Sequence, residues 1–83
     1  MVGIGAGTSA TTITNQGVIT ISSGDKTFGM YADGSNGPVV ATNEKEGTIT
    51  ISSGVTNSYG MYATGKDASI INNGAITINA TSG

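Results

Sequence analysis

Branched aliphatic and polar residues alternate in three places along the chain. Val18-Ile19-Thr20-Ile21, Thr48-Ile49-Thr50-Ile51 and Ala75-Ile76-Thr77-Ile78 each follow a glycine, at Gly17, Gly47 and Gly74. Period-two alternation of β-branched residues predicts strands. A second stretch, Phe28-Gly29-Met30-Tyr31-Ala32, returns as Tyr59-Gly60-Met61-Tyr62-Ala63. The segment Val2-Gly3-Ile4-Gly5-Ala6 reads as a worn third copy. Glycines close these copies at Gly7, Gly34 and Gly65. Short apolar pairs then fall at matched distances: Thr12-Ile13, Val39-Val40 and Ile70-Ile71. Asn15, Asn43 and Asn73 stand in the turns before the alternating strands.

Three recurring features in one order, with no helix-period stretch, predict an all-β, parallel β-helix (β-solenoid) of three coils. The single module spans 1–83, with coils at about 2–27, 28–58 and 59–83 and about three short strands in each. Coil length varies only in turns. Residues 42–46 read as a solvated loop, and Gly37-Pro38 as a turn before a strand that tolerates a missing donor. Alternation places Ile19, Ile21, Ile49, Ile51, Ile76 and Ile78 inside, and Thr20, Thr50 and Thr77 outside. The same rule assigns Val2, Ile4 and Ala6, Phe28, Met30 and Ala32, and Tyr59, Met61 and Ala63 to the interior. Tyr31 and Tyr62 then stack outside as a short aromatic ladder. Stacked coils would also bring Asn15, Asn43 and Asn73 into an amide ladder.

Composition narrows the picture. A chain of 83 residues buries a modest fraction of its surface. Lysines and acids leave a net charge of −2 with no basic cluster, which argues against nucleic acid and anionic membrane surfaces as partners. No apolar run approaches membrane-spanning length, so membrane insertion is not expected. Cysteine and histidine are absent, so no thiol or imidazole metal site is available. Val2 to Gly7 lacks the pattern of a secretion leader, as expected of a cytoplasmic chain or of a piece whose targeting segment lies elsewhere.

Each end of a solenoid presents a coil of unpaired N–H and C=O groups. Ala80-Thr81-Ser82-Gly83 corresponds to the turns at Ser22–Gly24 and Ser52–Gly54, so the first strand of a second molecule would continue the pattern. The expected partner is therefore the chain itself, in a head-to-tail homo-oligomer or filament that does not close. The expected interface comprises Val2, Gly3, Ile4, Gly5 and Ala6 on one molecule and Ile76 and Ile78 on the next.

The run Asn15-Gln16-Gly17-Val18-Ile19-Thr20-Ile21-Ser22-Ser23-Gly24, followed by Gly29-Met30-Tyr31-Ala32-Asp33-Gly34, resembles the passenger repeats of type V autotransporter adhesins. The Gly-Met-Tyr-Ala part looks most like those of fusobacteria and their relatives. The resemblance covers Val2 to Asn79. It implies a right-handed coil, export to the bacterial cell surface or beyond it, and a stalk or adhesive role toward a host-surface glycan or protein.

Other chemistry finds little footing. Polysaccharide-cleaving β-helices need clustered carboxylates beside basic groups. Here Asp25-Lys26, Asp33 and Lys66-Asp67 lie in turns of different coils, and Thr64 is the counterpart of Asp33. Glu44 and Glu46 supply too few ligands for a tight calcium site. The glycine run from Val2 to Gly7 precedes no helix, so it forms no dinucleotide site. Ser22-Ser23 and Ser52-Ser53 have no histidine to activate them. A non-enzymatic module with no cofactor and no metal is expected. Tyr31 and Tyr62 form the candidate ligand face, suited to stacking on a sugar ring. The rank of Thr20, Thr50 and Thr77 suggests an ice-binding face, but its flanking columns, Val18, Thr48, Ala75 and Ser22, Ser52, Asn79, are irregular.

Overall fold

The computed structural model describes residues 1–79. The expected counterpart turn at Ala80 to Gly83 lies outside the described residues. In chain order, the first coil carries β1 (Val2–Ile4), β2 (Thr11–Asn15), β3 (Val18–Ile21) and β4 (Gly24–Asp25). The second carries β5 (Phe28–Asp33), β6 (Val39–Asn43), β7 (Thr48–Ile51) and β8 (Val55–Thr56). The third carries β9 (Tyr59–Thr64), β10 (Ala68–Asn72) and β11 (Ala75–Ile78).

Equivalent strands of successive coils pair in parallel. The sheets run β1-β5-β9, β2-β6-β10 and β3-β7-β11, and a short fourth sheet pairs β4 with β8. The middle coil is flanked on both sides, and the best-buried side chains belong to it: Met30, Val39, Asn43, Ile49, Ile51 and Val55.

The alternating strands pair as their pattern demands. Ile19, Ile49 and Ile76 form one column, Ile21, Ile51 and Ile78 a second, and Thr20, Thr50 and Thr77 a third. A one-residue slip would turn every isoleucine outward, so burial specifies this register strongly.

The opening strand differs from expectation by three residues. Val2 lies opposite Tyr31, not Phe28, and Gly3 lies opposite Ala32. Met1 sets this register: its amino group donates to the Gly29 carbonyl at 2.9 Å, and its carbonyl accepts from the Tyr31 N–H at 2.7 Å. Gly3 therefore points inward, where an added Cβ would come within 2.9 Å of Ile13 Cγ2 and 3.2 Å of Val39 Cγ1. Val2 and Ile4, expected inside, are 63% and 60% exposed, and Ala6 is exposed as well. The closing glycine of this copy is Gly5 rather than Gly7. Its N–H donates to the Asp33 carbonyl at 2.9 Å, as that of Gly34 does to the Thr64 carbonyl at 2.8 Å.

Phe28 and Tyr59 also depart from the expected interior. Gly29 faces the core, where an added Cβ would lie 2.7 Å from Ile49 Cγ2, and its neighbour Met30 is fully buried. Two consecutive inward residues break the alternation, and Phe28 emerges on the same side as Tyr31.

The apolar pairs shift too. Thr12 pairs with Val40 and Ile13 with Ala41, which in turn faces Ile70. Ile71 pairs with Thr42 on the outer face and is 44% exposed. Of the expected loop at 42–46, Thr42 and Asn43 belong to β6, with Asn43 fully buried. A turn closed by the Gly47 N–H on the Glu44 carbonyl, at 2.8 Å, projects only Lys45 and Glu46.

Candidate assembly faces and an aromatic ridge

Asparagine ends each strand of the β2-β6-β10 sheet. Asn15, Asn43 and Asn72 stand in register, so the third rung is Asn72 and not the expected Asn73. Asn15 Nδ2 donates to Asn43 Oδ1 at 2.9 Å, and Asn43 Nδ2 donates to Asn72 Oδ1 at 2.8 Å. Each donating amide also reaches toward carbonyls at the corner: Asn15 to Gly17 and Thr48, Asn43 to Gly47 and Ala75. Oδ1 of Asn15 and of Asn72 accepts the N–H of the glycine two residues on. The ladder thus supplies polar groups at a buried corner with partners. Among the described residues no buried side-chain nitrogen or oxygen lacks a hydrogen bond.

The expected interface residues divide between the two end coils. Val2, Gly3 and Ile4 lie on β1, followed by Gly5 and Ala6, while Ile76 and Ile78 lie on β11. They do not meet within one molecule. At the third-coil end an open, apolar-lined cavity of about 420 Å³ exposes the core between Tyr59, Met61, Ile70 and Ile76. Ile78 lines it and is 53% exposed. Its column partner Ile51 is fully buried, so the exposure reflects the uncovered coil and not an outward orientation.

The candidate ligand face is larger than Tyr31 and Tyr62. These rings stack at 5.3 Å between centroids and 15° between planes. Phe28 and Tyr59 form a parallel column beside them, at 5.3 Å and 6°. Across the columns, Phe28 meets Tyr31 edge-on at 5.0 Å and 75°. Rings in contact lie about 3.5–4.0 Å apart, so a 5.3 Å centroid separation means each stack is slipped and part of each face is left uncovered. A groove of about 390 Å³ runs between these rings and the corner residues Lys26 and Asn57. Both corner residues adopt positive φ, 57° and 48°, and turn the chain sharply into β5 and β9. The fully legible part of this ridge was the repeated tyrosine. Phe28 and Tyr59 carried no outward signal beyond the glycine that follows each.

The acidic groups serve the turns. Asp25 Oδ1 accepts from the Thr56 hydroxyl at 2.7 Å and the Asn57 amide at 2.9 Å, and these bonds hold its carboxyl below the usual range. Asp33 accepts the Ser35 N–H at 3.0 Å and is lowered by it. Asp33 pairs with Thr64, as the repeat alignment requires. Among the described residues no group of three or more acidic, histidine or cysteine side chains gathers where it could hold a metal ion.

Stacked parallel strands, inward isoleucine columns and a corner asparagine ladder define a parallel β-helix-type repeat domain. The chain belongs to the family described as the BigA third pectate lyase-like domain, whose model matches residues 1–83. This is a domain family of a bacterial surface protein, which agrees with a cell-surface location. No match was found among curated proteins or among solved structures.

Proposed function

We propose that the chain is a non-catalytic structural rib of a right-handed, exported β-helix, and that its end coils stack head to tail with those of further copies. One observation carries this reading. The two end coils present the same columns, with Ile19, Ile21 and Asn15 on one and Ile76, Ile78 and Asn72 on the other. Each carboxylate with a lowered pKa is engaged in a turn, Asp25 by Thr56 and Asn57 of the next coil and Asp33 by Ser35 of its own, which supports a role without acid–base chemistry. The absence of cysteine suits the autotransporter-like passengers that the repeats resemble. Sedimentation velocity over a rising concentration series, paired with electron microscopy, tests the stacking. The chain should form unbranched filaments, and Ile78→Lys should keep its β spectrum and remain monomeric. A monodisperse wild-type monomer at high micromolar concentration would overturn the reading.

The slipped stacking of the aromatic ridge favours a second, adhesive reading. The uncovered faces of Tyr59 and Tyr62 suit the apolar face of a sugar ring, with Lys26 and Asn57 placed to bond hydroxyls. Glycan-array binding that is lost in Tyr62→Ala would support it, and an array without any hit would refute it.

A further inference from the structure

The asparagine ladder has a direction. Each rung donates its Nδ2 to Oδ1 of the rung above, from Asn15 to Asn43 and from Asn43 to Asn72. At the third-coil end, Asn72 Nδ2 donates to nothing among the described residues, and Asn72 is exposed. At the first-coil end, Asn15 Oδ1 accepts only the Gly17 N–H, whereas Asn72 Oδ1 accepts both the Gly74 N–H and the Asn43 amide. An amide oxygen has two lone pairs, so Asn15 Oδ1 retains an accepting position. The ladder therefore ends in a donor on one face and an acceptor on the other.

The backbone bonds at this corner run the opposite way, each later coil donating its N–H to a carbonyl of the coil before. Glu44 N–H donates to the Asn15 carbonyl, and Asn73 N–H donates to that of Asn43. Thr48 N–H donates to the Gly17 carbonyl, and Ala75 N–H to that of Gly47. One further step would send Gln16 N–H of another copy to the Asn72 carbonyl and its Val18 N–H to that of Gly74.

Resting on the stacking reading, we infer that this corner is the registration key between copies: Asn72 Nδ2 of one molecule donates to Asn15 Oδ1 and the Val18 carbonyl of the next. Isoleucine columns alone tolerate a slip of two residues, because Ile19 and Ile21 are interchangeable against Ile76 and Ile78. A two-residue slip would leave Asn72 facing no amide partner. A second copy turned end for end would set donor against donor. The ladder therefore selects both the register and the head-to-tail sense.

The cysteine-free chain allows a direct test. Thr20 and Thr77 lie on the outward column with Thr50 between them. Within one molecule they are about two strand spacings apart, roughly 9.6 Å, beyond disulfide reach. In a head-to-tail stack they become neighbours at about 4.8 Å, within it. Oxidation of the Thr20→Cys/Thr77→Cys chain should give covalent multimers about tenfold faster than that of a Val18→Cys/Thr77→Cys chain, whose cysteines meet only after a slip. Asn72→Leu should erase that preference while multimers persist, and Asn73→Leu, at the same corner but off the ladder, should preserve it. Circular dichroism confirms that each variant keeps its strands. An unchanged preference in Asn72→Leu would overturn the key and leave stacking intact. Rapid dimerisation of Thr77→Cys alone would overturn the head-to-tail sense. No multimer from either pair, together with monomeric sedimentation, would remove stacking itself and the key with it.

Discussion

Asn43→Ala tests whether the corner ladder supports the fold. Asn43 is fully buried between two other amides. Its truncation removes the 2.9 Å bond from Asn15 and the 2.8 Å bond to Asn72, and it releases the Gly47 carbonyl from a third contact at 3.2 Å. At about 1 kcal/mol for each short bond, plus a contribution for the space left behind, the loss comes to about 2–4 kcal/mol. A domain of this size holds on the order of 4–12 kcal/mol in all, so the effect is a large share. With a urea slope of about 2 kcal/mol per molar, the unfolding midpoint should fall by about 1–2 M. Asn73→Ala, next to the third rung but outside the ladder, should stay within about 0.5 kcal/mol of wild type. Equilibrium urea unfolding at low protein concentration, followed by circular dichroism, measures both. A cost below about 1 kcal/mol for Asn43→Ala, or an equal cost for Asn73→Ala, would refute the reasoning.

Gly29→Ala should destabilise by about 1–3 kcal/mol in a thermal melt, because its Cβ would lie 2.5 Å from the Gly60 carbonyl oxygen and 2.7 Å from Ile49 Cγ2. Gly17→Ala, with no atom near its added Cβ, should be close to neutral in the same melt. Ile49→Ala should cost about 2–5 kcal/mol, while Ile4→Ala, at a 60% exposed position, should change urea stability by less than about 0.5 kcal/mol. The lowered pKa of Asp25 adds stability that is present above its ordinary value of 3.8 and is lost as pH falls through the folded-state value. Acid titration of stability should accordingly show a smaller loss below about pH 4 in Asp25→Asn than in wild type.

The strands and their parallel order were legible because Ile-Thr-Ile fixes parity: a slip of one residue turns every isoleucine outward, and the glycine before each strand marks the matching start. The opening strand was harder. Matching Gly3 to Gly29 respected the letters, whereas packing made Gly3 the counterpart of Ala32, the small inward residue beside β6. The aromatic residues misled for a related reason. Hydrophobicity placed Phe28 inside, but Gly29 and Met30 both turn to the core and leave no inward place for its ring. Asn72 and Asn73 are adjacent identical letters, and only parity separates them. Counting inward positions from Ala68 through Ile70 reaches Asn72. The candidate ligand face was half visible, since the tyrosine repeat showed but the groove beside it depends on a corner geometry that no pattern of side chains encodes.

The corner after the ladder has one further consequence. Between the rung asparagine and the next glycine stands a single residue in the first and third coils, Gln16 and Asn73, but three in the second, Glu44, Lys45 and Glu46. The rungs keep their spacing regardless, since Asn15, Asn43 and Asn72 remain in register. Length change is absorbed outside the column, where Lys45 and Glu46 project into solvent. This corner is a natural port for insertion. A loop, tag or binding peptide grafted between Lys45 and Glu46 would be displayed sideways from the rib, with the coils above and below it undisturbed.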